Sequence, residues 1–158
     1  MLQKQNSISM SNIKVRFAKS KYQQLSELGS RLDLSFSSYM VIGNKLLALD
    51  GIKKSLVVLE SDNKSYVIEL NKVAFVSVKK TYNSIYPGEL NNKGIEEFLN
   101  TIELQFEFAN EQETVCLPFY NCEKDDLRSL PRLERNAKNW QMILSKMAFV
   151  PHLLNGLP

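Results

Sequence analysis

One histidine and two cysteines are the first side chains to weigh for nucleophilic or metal-ligating chemistry in this chain. His152 sits beside Pro151 among the last residues, with no partner at a recognisable spacing. Catalysis needs a tuned acid, base or nucleophile that a second group holds in place. Cys116 and Cys122, six apart, do not form a metal knuckle, because a structural zinc takes three or four closely patterned ligands. With so few cysteines they read as free thiols and not as a disulfide framework. Glu96-Glu97, Glu103 and Glu107 are the carboxylates that could pair for hydrolysis. Glu103 and Glu107, however, fall on one face of a predicted strand and read as a wetted face. Gly43 and Gly51 stand alone in turns and no lysine–serine follows them, so there is no phosphate loop. The chemistry points away from an enzyme, and no cofactor or metal is expected.

The groups that suit binding are cationic. The segment SLPRLERNAKNWQMILSKM, Ser129 to Met147, carries Leu130, Leu133, Ala137, Trp140, Leu144 and Met147 on one side at helical spacing. Arg128, Arg132, Arg135, Lys138 and Lys146 fall opposite. That pattern predicts an amphipathic helix whose apolar stripe covers a sheet. Its basic side can meet an acidic protein surface or track phosphates, but no aromatic residue interleaves with the arginines for base stacking. Lys53 and Lys54 follow an Asp50-Gly51 turn, with Lys45 near by. Tyr86 opens the turn sequence Tyr86-Pro87-Gly88. Charge is segregated along the chain: Lys and Arg outnumber Asp and Glu by 9 to 4 over residues 1–60, are outnumbered 6 to 12 over 61–126, and lead 5 to 1 over 127–158. The net charge of +3 is too small to argue for nucleic acid.

The elements that must position these groups alternate in period. Ile13 to Phe17 alternates as a short strand. Ser20 and Gln23 form a capping-box pattern ahead of Tyr22, Leu25, Leu28 and Leu32, which predicts a helix over about 20–32. Strands follow at Tyr39–Ile42, Lys45–Leu49, Lys54–Glu60, Ser65–Leu70 and Val73–Lys80. Gly43-Asn44 is read as a bend or bulge in a continuing strand, and Asp50-Gly51 as a tight hairpin turn with positive φ. Residues 83–100 break the rhythm and are read as a functional or mobile insertion. Thr101–Ala109 alternates cleanly, with Ile102, Leu104, Phe106 and Phe108 inward, and Val115, Leu117 and Phe119 answer on the next strand. Pro118 places that strand at an edge or a bulge. The apolar tail, 149–158, is a docking arm or an interaction peptide.

At 158 residues the chain is long enough for one compact domain, and two would be cramped. The apolar share of 44% and charged share of 23% are those of a globular protein. No run reaches the roughly 18–20 apolar residues of a membrane-spanning helix. MLQKQNSISM lacks a hydrophobic core segment, so no signal peptide is expected and the expected location is cytoplasmic.

The order of elements resembles the pleckstrin-homology (PH)-like superfold. NKLLALDGIKKSLVVLE resembles its opening hairpin. VIELNKVAFVSVKK is similar to a bacterial PH-like corner leading into a strand. TIELQFEF and ETVCLPFY resemble the final hairpin, and Trp140 sits where PH-like helices bury a tryptophan. The resemblance spans Tyr39 to Met147. An α+β roll or small open barrel capped by a helix fits the same pattern. The elements read above sum to about seven antiparallel strands capped by the C-terminal helix, an α+β chain whose N-terminal helix lies outside the resemblance. The resemblance implies a binding or scaffolding role, with a protein partner expected. The lysine–gap–arginine arrangement of phosphoinositide-binding PH domains is absent around Lys53 and Lys54, so anionic lipid is not expected. The expected surface comprises Arg128, Arg132, Arg135, Lys138, Lys53, Lys54 and Tyr86. The alternative is a nucleic-acid-associated accessory protein using the helix's basic face.

Overall fold

The hydrophobic period changes from helical to alternating just after Leu32, and the backbone changes with it. A computed structural model describes residues 21–61, 64–110 and 113–148. The expected strand at Ile13–Phe17, the Ser20 cap, His152 and the tail 149–158 lie outside the described residues. A helix over residues 21–32, α1, comes first. Seven strands follow: β1 Ser38–Ile42, β2 Lys45–Asp50, β3 Ser55–Leu59, β4 Ser65–Glu69, β5 Val73–Tyr82, β6 Leu99–Phe108 and β7 Thr114–Asn121. The helix α2, Leu130–Ser145, closes the series. All pairings are antiparallel, in one sheet ordered β1-β2-β3-β4 and another ordered β5-β6-β7. The expected α+β class is therefore what the chain adopts, and among the described residues neither sheet closes into a barrel. Contacts divide the chain into two compact units, Met1–Glu69 and Leu70–Pro158.

In the first unit Leu25 and Leu28 of α1 pack on Leu46, Ala48, Val57 and Leu59, with Leu34 and Phe36 alongside. The stripe is narrower than its spacing suggests, since Tyr22 and Leu32 are exposed. Tyr22 instead meets the Tyr39 ring edge-on, centroids 6.1 Å apart. Gly29 leaves space for Phe36, whose Cε2 would lie 3.1 Å from an added Cβ. The helix ends in a Schellman motif: Asp33 takes a left-handed φ of 56° and the Leu34 N–H reaches the Gly29 carbonyl at 2.8 Å.

Two turns depart from the sequence reading. Gly43-Asn44 is a two-residue hairpin loop, Ile42 pairing with Lys45 across it, and Gly43 at φ 57° supplies the positive φ such a loop needs. Between β2 and β3 the loop has four residues, 51–54, because Asp50 pairs with Ser55. Its left-handed residue is Lys54, at φ 54°, and not Gly51. The Asp50 carboxylate organises this loop by accepting the N–H groups of Ile52 and Lys53 at 3.0 and 2.9 Å. A lysine in that conformation costs roughly 1–2 kcal/mol. Lys54→Gly is expected to stabilise the chain by about 0.5–1 kcal/mol, net of the extra unfolded-state entropy of glycine, and urea denaturation checks it.

In the second unit β6 is the central strand, and Ile102, Leu104 and Phe106 are buried on its apolar face. β7 is an edge strand with a bulge, Ile102 facing Tyr120 while Glu103 faces Pro118. Both expectations for Pro118 are met. α2 packs on all three strands with Leu130, Leu133, Ala137, Trp140 and Leu144 buried. Its entry is a 3-10 turn, Leu127–Ser129, capped by Asp126, which accepts the Arg128 N–H at 3.0 Å. Ser129 makes no side-chain cap; its hydroxyl donates back to the Asp126 carbonyl. Asp125 ties the entry to β7 by accepting the Asn121 N–H at 2.8 Å.

Candidate interaction surface

The basic side of α2 is only partly free. Arg128 is held by Asp126, Nη2 to Oδ2 at 2.8 Å, and that contact keeps the Asp126 carboxyl below its ordinary range. Glu134 lies between two lysines, bonded to Lys80 Nζ from β5 and 3.2 Å from Lys138 Nζ one turn on. The Lys80 ammonium, with a smaller part from Lys138, lowers the Glu134 pKa against partial burial, and the carboxylate raises that of Lys80. Arg132 and Arg135 alone among the four expected residues form no ion pair among the described residues. Arg135 lines a shallow depression with Pro131, Glu134, Lys138 and Asn139.

Glu134→Gln removes the charge and keeps the shape. It is expected to cost about 0.5–1 kcal/mol at pH 7, because both lysines stay partly wet. Since folding depresses the Glu134 pKa, this contribution is complete above its unfolded value near 4.5 and disappears as pH falls through the lower folded value. Urea midpoints at neutral and strongly acid pH should differ less in the variant than in the wild type.

The connection from β5 to β6 is built, not structureless. The Asn83 N–H bonds the Phe98 carbonyl at 2.7 Å, closing the loop at its neck. Tyr86-Pro87-Gly88-Glu89 forms a turn with the Glu89 N–H on the Tyr86 carbonyl at 3.2 Å, and Gly88 carries φ 87° at the position where proline-initiated type II turns require it. Short 3-10 turns at Glu89–Asn91 and Ile95–Phe98 follow. Phe98 and Leu99 are buried and anchor the far end, and the Lys93 ammonium stands 5.9 Å from the centre of the Phe98 ring. Tyr82, Ile85, Tyr86, Leu90 and Ile95 are all exposed, Tyr86 by 68%. Of these only Tyr86 was singled out by its sequence. The signal for the others was apolar residues recurring within a turn-rich, carboxylate-bearing stretch.

Lys53 and Lys54 belong to the first unit, and the α2 residues to the second. Lys53 Nζ is engaged by Asp33, its carboxylate at 2.8 Å and its carbonyl, so it ties the hairpin to the end of α1. Lys54 is exposed beside Ile52, the most exposed large apolar residue described, at 92%. The thiols are both free. Burial and then Glu103 push the Cys116 pKa up, which keeps that thiol protonated at neutral pH. Cys122 donates to Asn100 Oδ1 at 3.2 Å. Burial, with Glu60 near by, pushes Tyr66 up to about 12. No cluster of three or more His, Cys, Asp or Glu side chains that could hold a metal occurs among the described residues.

The chain is thus an α+β protein of two antiparallel sheets, with cationic and apolar groups displayed on its second unit. No helix among the described residues is long and apolar enough to cross a membrane. No protein-family model, curated protein or solved structure matches it.

Proposed function

We propose that the chain is a PH-like interaction module, non-enzymatic, that binds a protein partner through the β5–β6 connection. Support for the PH-like reading is the order of elements: four antiparallel strands, three more, then a helix burying a tryptophan. The observation that carries the functional reading is the set of four apolar side chains, Ile85, Tyr86, Leu90 and Ile95, held exposed on a loop whose neck and turns are hydrogen-bonded, with Tyr82 exposed at the adjoining end of β5. Exposed apolar side chains gathered in one region, rather than scattered singly, mark contact sites. A loop fixed in shape loses less entropy on binding than a floppy one. Binding in the cytoplasm accords with two cysteines left unpaired.

The test uses a partner captured by the intact chain and then purified. Replacing Tyr86 and Leu90 by serine should weaken its binding by at least about tenfold, as loss of central apolar anchors does, with the circular dichroism spectrum unchanged. Unchanged affinity places the contact elsewhere. Retention on DNA at low salt, abolished by Arg132→Glu with Arg135→Glu, would instead support the nucleic-acid reading.

A further inference from the structure

The contacts of α2 fix which groups share one end of the second unit. Gln141 Nε2 reaches the Val76 carbonyl at 3.1 Å, and Glu134 reaches Lys80, so α2 runs antiparallel to β5. Seven helical residues, about 10 Å, thus match four strand residues, about 13 Å. Continuing two residues along the strand brings Tyr82 level with the first turn of α2. The Cys122 N–H on the Asn100 carbonyl at 2.9 Å and the Asn83–Phe98 bond close the same end. One end of the unit therefore carries Tyr82, Ile85, Tyr86, Leu90, Ile95 and Leu127 exposed, together with Arg132 and Arg135.

The charges around this apolar end are of both signs, and the Glu96 carboxylate lies near enough to Lys80 to help raise its pKa without forming an ion pair. Glu96 and Glu97 are exposed on the loop and form no ion pair among the described residues, while Arg132 and Arg135 are unpaired on the helix. Over residues 83–98 the loop holds three glutamates and one lysine. An anionic bilayer would be repelled by that loop. A two-fold axis, by contrast, sets each patch against its own copy, so an acidic part meets the basic part of the other chain on both sides of the axis. We propose that this end of the second unit is a self-association surface, the occupant being a second copy of the chain, with Glu96 and Glu97 of one copy facing Arg132 and Arg135 of the other around an apolar centre. This rests on the reading of the β5–β6 connection as a contact site and specifies its partner.

Charge reversal on the full chain tests it. Sedimentation should show a concentration-dependent monomer–dimer equilibrium, weakened by at least about tenfold in Arg132→Glu/Arg135→Glu and in Glu96→Lys/Glu97→Lys, since each variant sets like charges together. Mixing the two variants should restore association, because both contacts in the mixed dimer are again opposite in sign. That rescue also shows both variants to be folded. A chain monomeric at every concentration overturns the self-association, and so does a dimer indifferent to both reversals or one that fails to reform on mixing. If the chain is monomeric but a purified heterologous partner still loses affinity on replacement of Tyr86 and Leu90, the self-association fails while the contact-site reading stands. Flotation of a monomeric chain with phosphatidylserine vesicles, lost with the same two residues, assigns the surface to a membrane and overturns both.

Discussion

Trp140→Ala is expected to destabilise the chain by about 3–5 kcal/mol, the usual cost of truncating a large buried aromatic side chain. Trp140 is 7% exposed at the middle of the stripe that α2 lays over β5, β6 and β7. A helix of 16 residues is marginal by itself in water and needs its apolar face covered to persist. The sheet needs the helix equally, because Ile102, Leu104 and Phe106 on its apolar face are buried while Glu107 on the other face is exposed. Removing the indole leaves a cavity between them that leucines at the neighbouring stripe positions fill only in part. Met142→Ala, at a position 58% exposed, is the control and should stay within about 0.5 kcal/mol. Urea midpoints with equal slopes measure both. If Trp140→Ala costs no more than Met142→Ala, α2 is not the lid of this sheet.

The regular elements were legible because their apolar residues recur at one period over many positions. Leu133, Ala137, Trp140 and Leu144 announce α2, and Ile102, Leu104 and Phe106 announce β6, in each case because burial of one face dictates the spacing. Even Pro118 declared an edge or a bulge, since it cannot donate to a ladder. Turns were legible only by place. Asp50-Gly51 marks a reversal, but which residue takes positive φ depends on the loop length that pairing of β2 with β3 imposes, and Lys54 takes it. The candidate site was read least well. Helical projection puts Arg128, Arg132, Arg135 and Lys138 on one face, yet it is blind to strand partners. Lys80 and Glu134 are 54 residues apart, and only the fold shows that the carboxylate answers both Lys80 and Lys138. The Glu134–Lys138 spacing itself was visible as a helical i, i+4 pair. Sequence also counts Lys53 as a free cation, although Asp33, 20 residues away, holds it.

Asp50→Ala should lower the melting midpoint by about 5 °C or more, for reasons that lie wholly in the backbone. Asp50 is the one charged or polar residue buried among those described, at 2% exposure. Its Oδ2 accepts the Ser35 N–H at 2.8 Å, and its Oδ1 accepts those of Ile52 and Lys53 at 3.0 and 2.9 Å. One carboxylate thereby joins the chain leaving α1 to the β2–β3 loop, beside the Ser37 N–H on the Leu49 carbonyl at 2.8 Å. Alanine leaves all three donors without their acceptor. Asparagine keeps the shape but offers one oxygen and one NH₂, so in either orientation a donor faces a donor. The N–H of Lys53, then that of Ser35, hold the Asp50 pKa below its ordinary 3.8 despite burial. A depressed folded pKa means that the stabilisation is complete above the unfolded value and drains away as pH falls through the folded one. Asp50→Asn is therefore expected to melt lower than the wild type at pH 7 and to lose less on acidification, the two curves approaching each other as pH falls through the lowered Asp50 pKa. Thermal melts across that range decide it. An asparagine variant that matches the wild type at pH 7 and falls as steeply in acid would mean that this carboxylate does not hold the loop.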